Sequence, residues 1–248
     1  MSKLERLYGN SPIWFQNIMC SVKGELIRRR RFGSGFIRDL RLMESYQINT
    51  EKEIALFLKA IEKLPAYSEV FETVRKEGRE PKIEDFPIIN KLYVKDHYDE
   101  FINKDFKGRT TMLHTGGTTG SGLVLPHSVA FENRQWATWW RFRESLGIKY
   151  GTWTAVFSST HLVVPMKQRR PPYWRVNSPM RQLICSPYHI SKETVKDYLA
   201  EIERRGIYWL SGYASNIRFL ANVAYIQMIF INNPAQFEIF FEIKLDNI

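Results

Sequence analysis

The sequence predicts an α/β protein, with a helical region over residues 1–108 and an α/β portion over residues 109–248. Three observations predict it. Apolar residues recur at helical spacing through much of the first hundred positions. From Arg109 onward, short β-branched runs alternate with helix-length stretches, the order that builds a sheet with helices packed on it. A glycine- and threonine-rich loop, Thr115 to Gly122, separates the first two extended runs.

The elements follow in order. Leu4, Leu7, Ile13, Trp14, Ile18 and Val22 give a helical pattern to about residue 27, broken near Gly9 and Pro12, and Gly33-Ser34-Gly35 reads as a turn. Thr50 is placed to cap a second helix, with Glu53 as its capping-box partner. Ile54, Phe57, Leu58, Ile61 and Leu64 form its stripe and Pro65 closes it. Tyr67, Phe71 and Val74 suggest a short helix ending at Gly78, and residues 81–91 read as a connector. Arg109 to Leu113 and Gly122 to Pro126 read as strands. Ser128 opens a long helix to about Leu146, on which Trp136, Trp139 and Trp140 have core spacing. Strands are expected at 152–157, 207–210 and 237–243, with helices at 191–205, capped by Ser191, and at 213–228. Arg169 to Pro172 must be loop or extended chain.

Composition narrows the function. The chain has 248 residues, 44% of them hydrophobic, with 16 Phe, 12 Tyr and 7 Trp, which excludes disorder as the dominant state. The most apolar stretch, Leu220 to Ile231, is too short for a membrane span and is interrupted by Asn222 and Gln227. The N-terminal residues do not read as a signal peptide. Two distant cysteines, Cys20 and Cys185, fit a reducing compartment, so a cytoplasmic location is expected. The 36 Lys+Arg against 26 Asp+Glu leave a net charge of +10, which favours phosphate-bearing partners without naming one. The run Arg28 to Arg31 is read as a solvated helix end, where cations suit the dipole.

The chemistry concentrates at Thr115, Gly116, Gly117, Thr118, Thr119, Gly120 and Ser121. Glycines let successive N–H groups converge on one centre, and small hydroxyls add donors, so such a loop can wrap phosphate oxygens. It is not a Walker A loop, because Leu123-Val124 follow Gly122 where Lys-Ser/Thr is needed. A dinucleotide fingerprint fails too, since Leu125 stands where its third glycine belongs. The bland alternative is a structural hairpin between two strands.

Thr115-Gly116-Gly117-Thr118-Thr119-Gly120 resembles the phosphate-binding signature of adenylate-forming enzymes, usually Thr-Ser-Gly-Thr-Thr-Gly. More narrowly, the chain is similar to the phenylacetate–CoA-ligase-like branch that includes capsular-polysaccharide CapK-type proteins. Further segments carry the resemblance in order: Leu64-Pro65-Ala66-Tyr67, Phe86 to Lys91, Pro171 to Arg175, Ser186 to Ser191 and Ser211 to Ser215. The resemblance implies the first subdomain of an acyl-CoA-synthetase-like domain. It also implies Mg-ATP-dependent activation of a carboxylate to an acyl-adenylate, with CoA or another acceptor taking the acyl group. Residues 115–121 would hold the β- and γ-phosphates. By position, His161 at the end of a strand is a candidate for lining the acyl pocket, with a partly buried, hydrogen-bonded histidine as the alternative. Ser211, Gly212 and Tyr213, between a strand and a helix, are candidates for holding a ligand carboxylate or aromatic ring. His189 and His114 are read as turn and packing residues.

Two departures touch the loop itself, Gly116 for serine and Gly122-Leu123 for the Pro-Lys of many relatives. The later family motifs are also missing: the sequence has no Tyr-Gly-x-Thr-Glu segment for adenine and magnesium. The expectation is an incomplete member, inactive alone, whose remaining half could be a separate chain. No catalytic residue and no metal ligand is assigned. Two alternatives stay open: a non-catalytic basic protein that binds nucleotides or polyanions, and a small phosphate-binding enzyme of unrelated chemistry. Nucleic acid is not the expected partner.

Overall fold

The computed structural model describes residues 3–115, 122–157 and 163–226. Its helices are α1 (Lys3–Asn10), α2 (Ile13–Arg31), α3 (Ser34–Leu42), α4 (Thr50–Ile61), α5 (Ser68–Lys76), α6 (Lys91–Asp96), α7 (Val129–Ser145), α8 (Val195–Arg204) and α9 (Ala214–Ile226). Its strands are β1 (Thr110–His114), β2 (Val124–Ser128), β3 (Thr154–Phe157), β4 (Trp174–Asn177), β5 (Gln182–Cys185) and β6 (Trp209–Gly212). The chain divides into two compact units, residues 1–30 with 142–248, and residues 31–141.

The first unit holds a four-stranded sheet in the order β4-β5-β3-β6. β3 is central and runs parallel to both β5 and β6, while β4 pairs antiparallel with β5. Ala155, Phe157, Leu183, Cys185 and Leu210 from the sheet pack with Val195, Tyr198, Leu199 and Ile202 of α8 and Leu220 and Val223 of α9. α8 keeps an apolar face against the sheet because those four residues recur at three- and four-residue steps. Gly206 ends the helix in a left-handed turn at φ 59.

The second unit contains the β1–β2 hairpin and the helices around it. Leu58 and Ile61 of α4 pack with Phe71 of α5, and Tyr67 and Phe86 meet edge to face at 5.4 Å. Elsewhere in the unit Phe32 meets Phe36 at 4.9 Å and Trp136 at 5.6 Å.

Several elements differ from the sequence expectation. Gly33-Ser34-Gly35 does not merely turn the chain but opens α3, and Gly35 lets it approach Asn133, where a Cβ would lie 2.8 Å from Oδ1. α4 is capped by Asn49, whose side chain accepts from Lys52 N, and not by Thr50. The segment at 81–91 is followed by α6, capped by Asn90. α8 starts at Val195, because Ser191 belongs to a preceding turn in which its N–H donates to Thr194 Oγ1 at 2.9 Å. The β4–β5 hairpin has no counterpart in the expected elements. The strand expected at 237–243 lies outside the described residues.

Three tryptophans expected in the core split: Trp140 is buried, Trp136 is half-buried under the Arg31 guanidinium at 4.7 Å, and Trp139 is exposed. The arginine run does end α2, yet it is tied by ion pairs. Arg28 and Arg29 both bond Glu25, and Arg31 bonds the buried Glu132 at 2.7 Å.

Candidate functional site

The candidate phosphate loop sits at the tip of the β1–β2 hairpin. The strands pair from Thr110↔Ser128 through His114↔Val124. One residue further, Thr115 N donates to Leu123 O at 2.9 Å and Leu123 N donates to Thr115 Oγ1 at 2.8 Å. Gly122 completes this neck, since a Cβ there would lie 2.7 Å from Thr115 O. Thr115 thus spends its N–H on the hairpin and keeps its hydroxyl proton to donate outward. Gly116 to Ser121 lie outside the described residues. Thr115 is exposed, and so is His114, which corrects the expectation that His114 packs inside.

The other expected residues lie in the unit that carries the sheet. Register aligns Phe157 of β3 with both Cys185 of β5 and Gly212 of β6. The chain leaving these three strands therefore emerges at one carboxyl edge, the usual ligand side of an open α/β sheet. Ser211 and Gly212 end β6 there, and Tyr213 follows with its ring exposed. Tyr213 O accepts from Asn216 N and Ile217 N, so it stands at the N-cap position of α9, and the helix's first N–H groups open beside it. Gly212 is fixed by packing as well, because a Cβ would fall 2.3 Å from Phe157 O. His161 follows β3 by four residues and lies outside the described residues.

At the same edge, the chain after β5 brings together two groups that sequence reasoning left apart. Ser186 Oγ and His189 Nδ1 are 2.7 Å apart, and the His189 ring stacks on Tyr173 at 5.4 Å. Burial pulls the His189 pKa below the ordinary value, and the positive charges of Arg169 and Arg175 push it the same way. His189 is therefore a neutral imidazole at pH 7. Its place in the short 3-10 turn Pro187–His189 matches the turn role expected of it.

Behind this edge Arg175 is fully buried. Its guanidinium bonds Gln16 Oε1, Gln168 Oε1 and the carbonyls of Pro172 and Trp174, with no carboxylate among these partners. The signal for it was a charged residue inside an otherwise apolar run, Tyr173-Trp174-Arg175-Val176. Among the described residues, no group of three His, Cys, Asp or Glu side chains could hold a metal ion. No helix among them is long and apolar enough to cross a membrane.

Over 225 residues the chain is 26% identical to Protein CapK of Staphylococcus aureus, which covers 88% of this chain and 50% of that protein. The chain is similar to CapK. It spans about half the length of that curated relative. No family model and no solved structure matches it. The CapK likeness agrees with the residues that carried the resemblance, and it leaves the adenylate-forming chemistry to be argued from the site.

Proposed function

We propose that this chain supplies the ATP-binding part of a carboxylate-activating, CapK-like ligase serving capsule polysaccharide synthesis. One observation carries the reading: Thr115 and Leu123 close the β1–β2 hairpin on either side of the glycine- and threonine-rich run 116–121, with Gly122 packed against Thr115 O. A loop of three glycines, two threonines and a serine on such a neck presents N–H and hydroxyl donors to phosphate oxygens, a positioning and electrostatic role. For the carboxylate the reading takes the carboxyl edge of the sheet at Ser211, Gly212 and Tyr213, beside the first N–H groups of α9.

In the reaction so proposed, a carboxylate oxygen attacks the α-phosphorus of ATP. The bond to the β-phosphate oxygen breaks and pyrophosphate leaves. CoA or another acceptor then displaces AMP. Mg²⁺ enters this reading with ATP, since it is commonly held through substrate phosphates and one or two carboxylates.

The sequence carries no Tyr-Gly-x-Thr-Glu segment, so binding and turnover separate in the expected results. The 248-residue chain is expected to bind Mg-ATP in isothermal titration, and Gly117→Val or Thr118→Val is expected to weaken binding about tenfold or more. Carboxylate-dependent ATP–pyrophosphate exchange is expected to stay at background. ATP affinity unmoved by both variants would sink the loop assignment. In that case salt-sensitive binding of a polyanion would support the basic-protein alternative suggested by the +10 charge.

A further inference from the structure

α2 covers a face of small and polar residues and leaves a row of apolar ones exposed. The face turned into its unit carries Gln16, Cys20 and Gly24, all buried. Beside them Asn17 Oδ1 accepts from Val176 N at 2.9 Å, and Ser21 Oγ donates to Val176 O and accepts from Ser178 N, both at 3.3 Å. These two side chains satisfy backbone groups along β4, a strand that pairs on one side only in the sheet. They blunt its edge against pairing with another strand. Gly24 allows the close approach, because a Cβ there would lie 1.8 Å from Asn177 Oδ1.

One row of apolar residues points the other way, while Phe15, Met19 and Ile27 are half-buried. Trp14, Ile18, Val22 and Leu26 recur every fourth position and are all exposed, Trp14 by 64% and Leu26 by 65%. Ile18 and Val22 form one wall of an open groove of about 580 Å³, and Val176 and Pro179 line it from β4 and the turn that follows. Scattered exposed apolar residues need no explanation, whereas a contiguous row beside a groove marks an interaction surface. A ridge at four-residue spacing is also the form that another helix receives, crossing at about −50°. Its length, twelve residues at about 1.5 Å each, is about 18 Å, or three helical turns.

Charge selects the occupant. Lys23 and Arg29 are exposed along the row, and Glu25, whose side chain lines the groove, is engaged by both Arg28 and Arg29, so the local charge stays positive. A second copy of a chain at +10 would bring like charge to the groove. We infer that the outward face of α2 docks an acidic amphipathic helix of a partner polypeptide, apolar side chains in the groove and carboxylates over Lys23 and Arg29.

The test uses the full chain and a fluorescein-labelled 18-residue helical peptide with leucine on one face and glutamate on the other. A control peptide carries lysine in place of glutamate. The glutamate peptide is expected to bind in fluorescence anisotropy, more weakly as salt rises, and the lysine peptide is expected not to bind. Val22→Asp should weaken binding tenfold or more with an unchanged circular dichroism spectrum. Leu26→Asp serves the same purpose should Val22→Asp not fold. The inference is overturned by equal binding of the two peptides, by no binding, or by binding insensitive to the variants. It is likewise overturned if sedimentation shows a dimer that Val22→Asp dissolves, which assigns the groove to a second copy. Binding that appears only after residues 237–248 are deleted assigns it to this chain's own end.

Discussion

Arg175 Nε donates to Gln16 Oε1 at 2.6 Å, so a fully buried guanidinium on β4 is hydrogen-bonded by a side-chain amide of α2 and not by a carboxylate. Three more acceptors complete its shell, Gln168 Oε1 and the carbonyls of Pro172 and Trp174. Gln16 in turn donates to Ser11 O at 2.8 Å, so one residue links the turn before α2, the segment 168–172 and the sheet. Local dipoles stand in for a counter-charge here, an arrangement that works only while every acceptor is in place.

Arg175→Met should therefore be costly. It leaves one buried acceptor and three part-buried ones without their donor, at about 1–3 kcal/mol for a buried group, for a total on the order of 3 kcal/mol. For a chain of this size that is a fall in melting temperature of roughly 6–12 °C, read by calorimetry. Arg175→Lys should recover only part of the loss, since an ammonium cannot span acceptors arranged for a planar fork. Full recovery by lysine would show that charge alone, and not the fork, matters at this position.

Gly212 offers a second, separable measurement. A Cβ at this position would meet Phe157 O at 2.3 Å, and a backbone oxygen inside a paired strand cannot step aside. Gly212→Ala is expected to destabilise the protein by about 1–3 kcal/mol, the usual range for overpacking, measured by urea unfolding. Ser211→Ala, next in the strand and half-buried, should cost less than half as much. An unchanged midpoint for Gly212→Ala would mean that β3 and β6 do not lie as close as described.

These two residues show what was legible. Gly212 was singled out as a candidate binding residue, but its packing reason depends on Phe157, which is 55 positions away and becomes a neighbour only through the parallel register. Arg175 stood in a quoted motif, yet nothing local says that Gln16 will meet it. Helix existence was readable where apolar residues recur on one face, as in α4 and α8, because burial of that face decides the element. Their caps shifted by one to a few residues, since Asn49 competes with Thr50 and the Ser191 turn absorbs the expected start of α8. β4 and β5 were missed because four-residue strands beside a proline pair carry little periodicity. In α2 the spacing of Ile13, Trp14, Ile18 and Val22 marked a helix, but it did not say which face is covered, and the structure leaves Trp14, Ile18 and Val22 exposed.

The last expectation concerns pH. His189 has a depressed pKa in the folded chain, from burial first and from Arg169 and Arg175 after it. Above the unfolded value of about 6.5 neither state binds a proton, and the neutral imidazole keeps its contact with Ser186. As pH falls below about 6.5 the unfolded chain takes up a proton that the folded chain refuses. Stability is therefore lost progressively until the folded imidazole also titrates. The wild-type melting temperature should decline between pH 6.5 and 5, and His189→Asn, which can still bond Ser186, should flatten the decline in that window. A parallel decline in both proteins would place the sensitive proton elsewhere. A flattened one would show that Ser186 at the end of β5 is paired with a neutral imidazole, so that the carboxyl edge presents an uncharged donor or acceptor to whatever binds beside Tyr213.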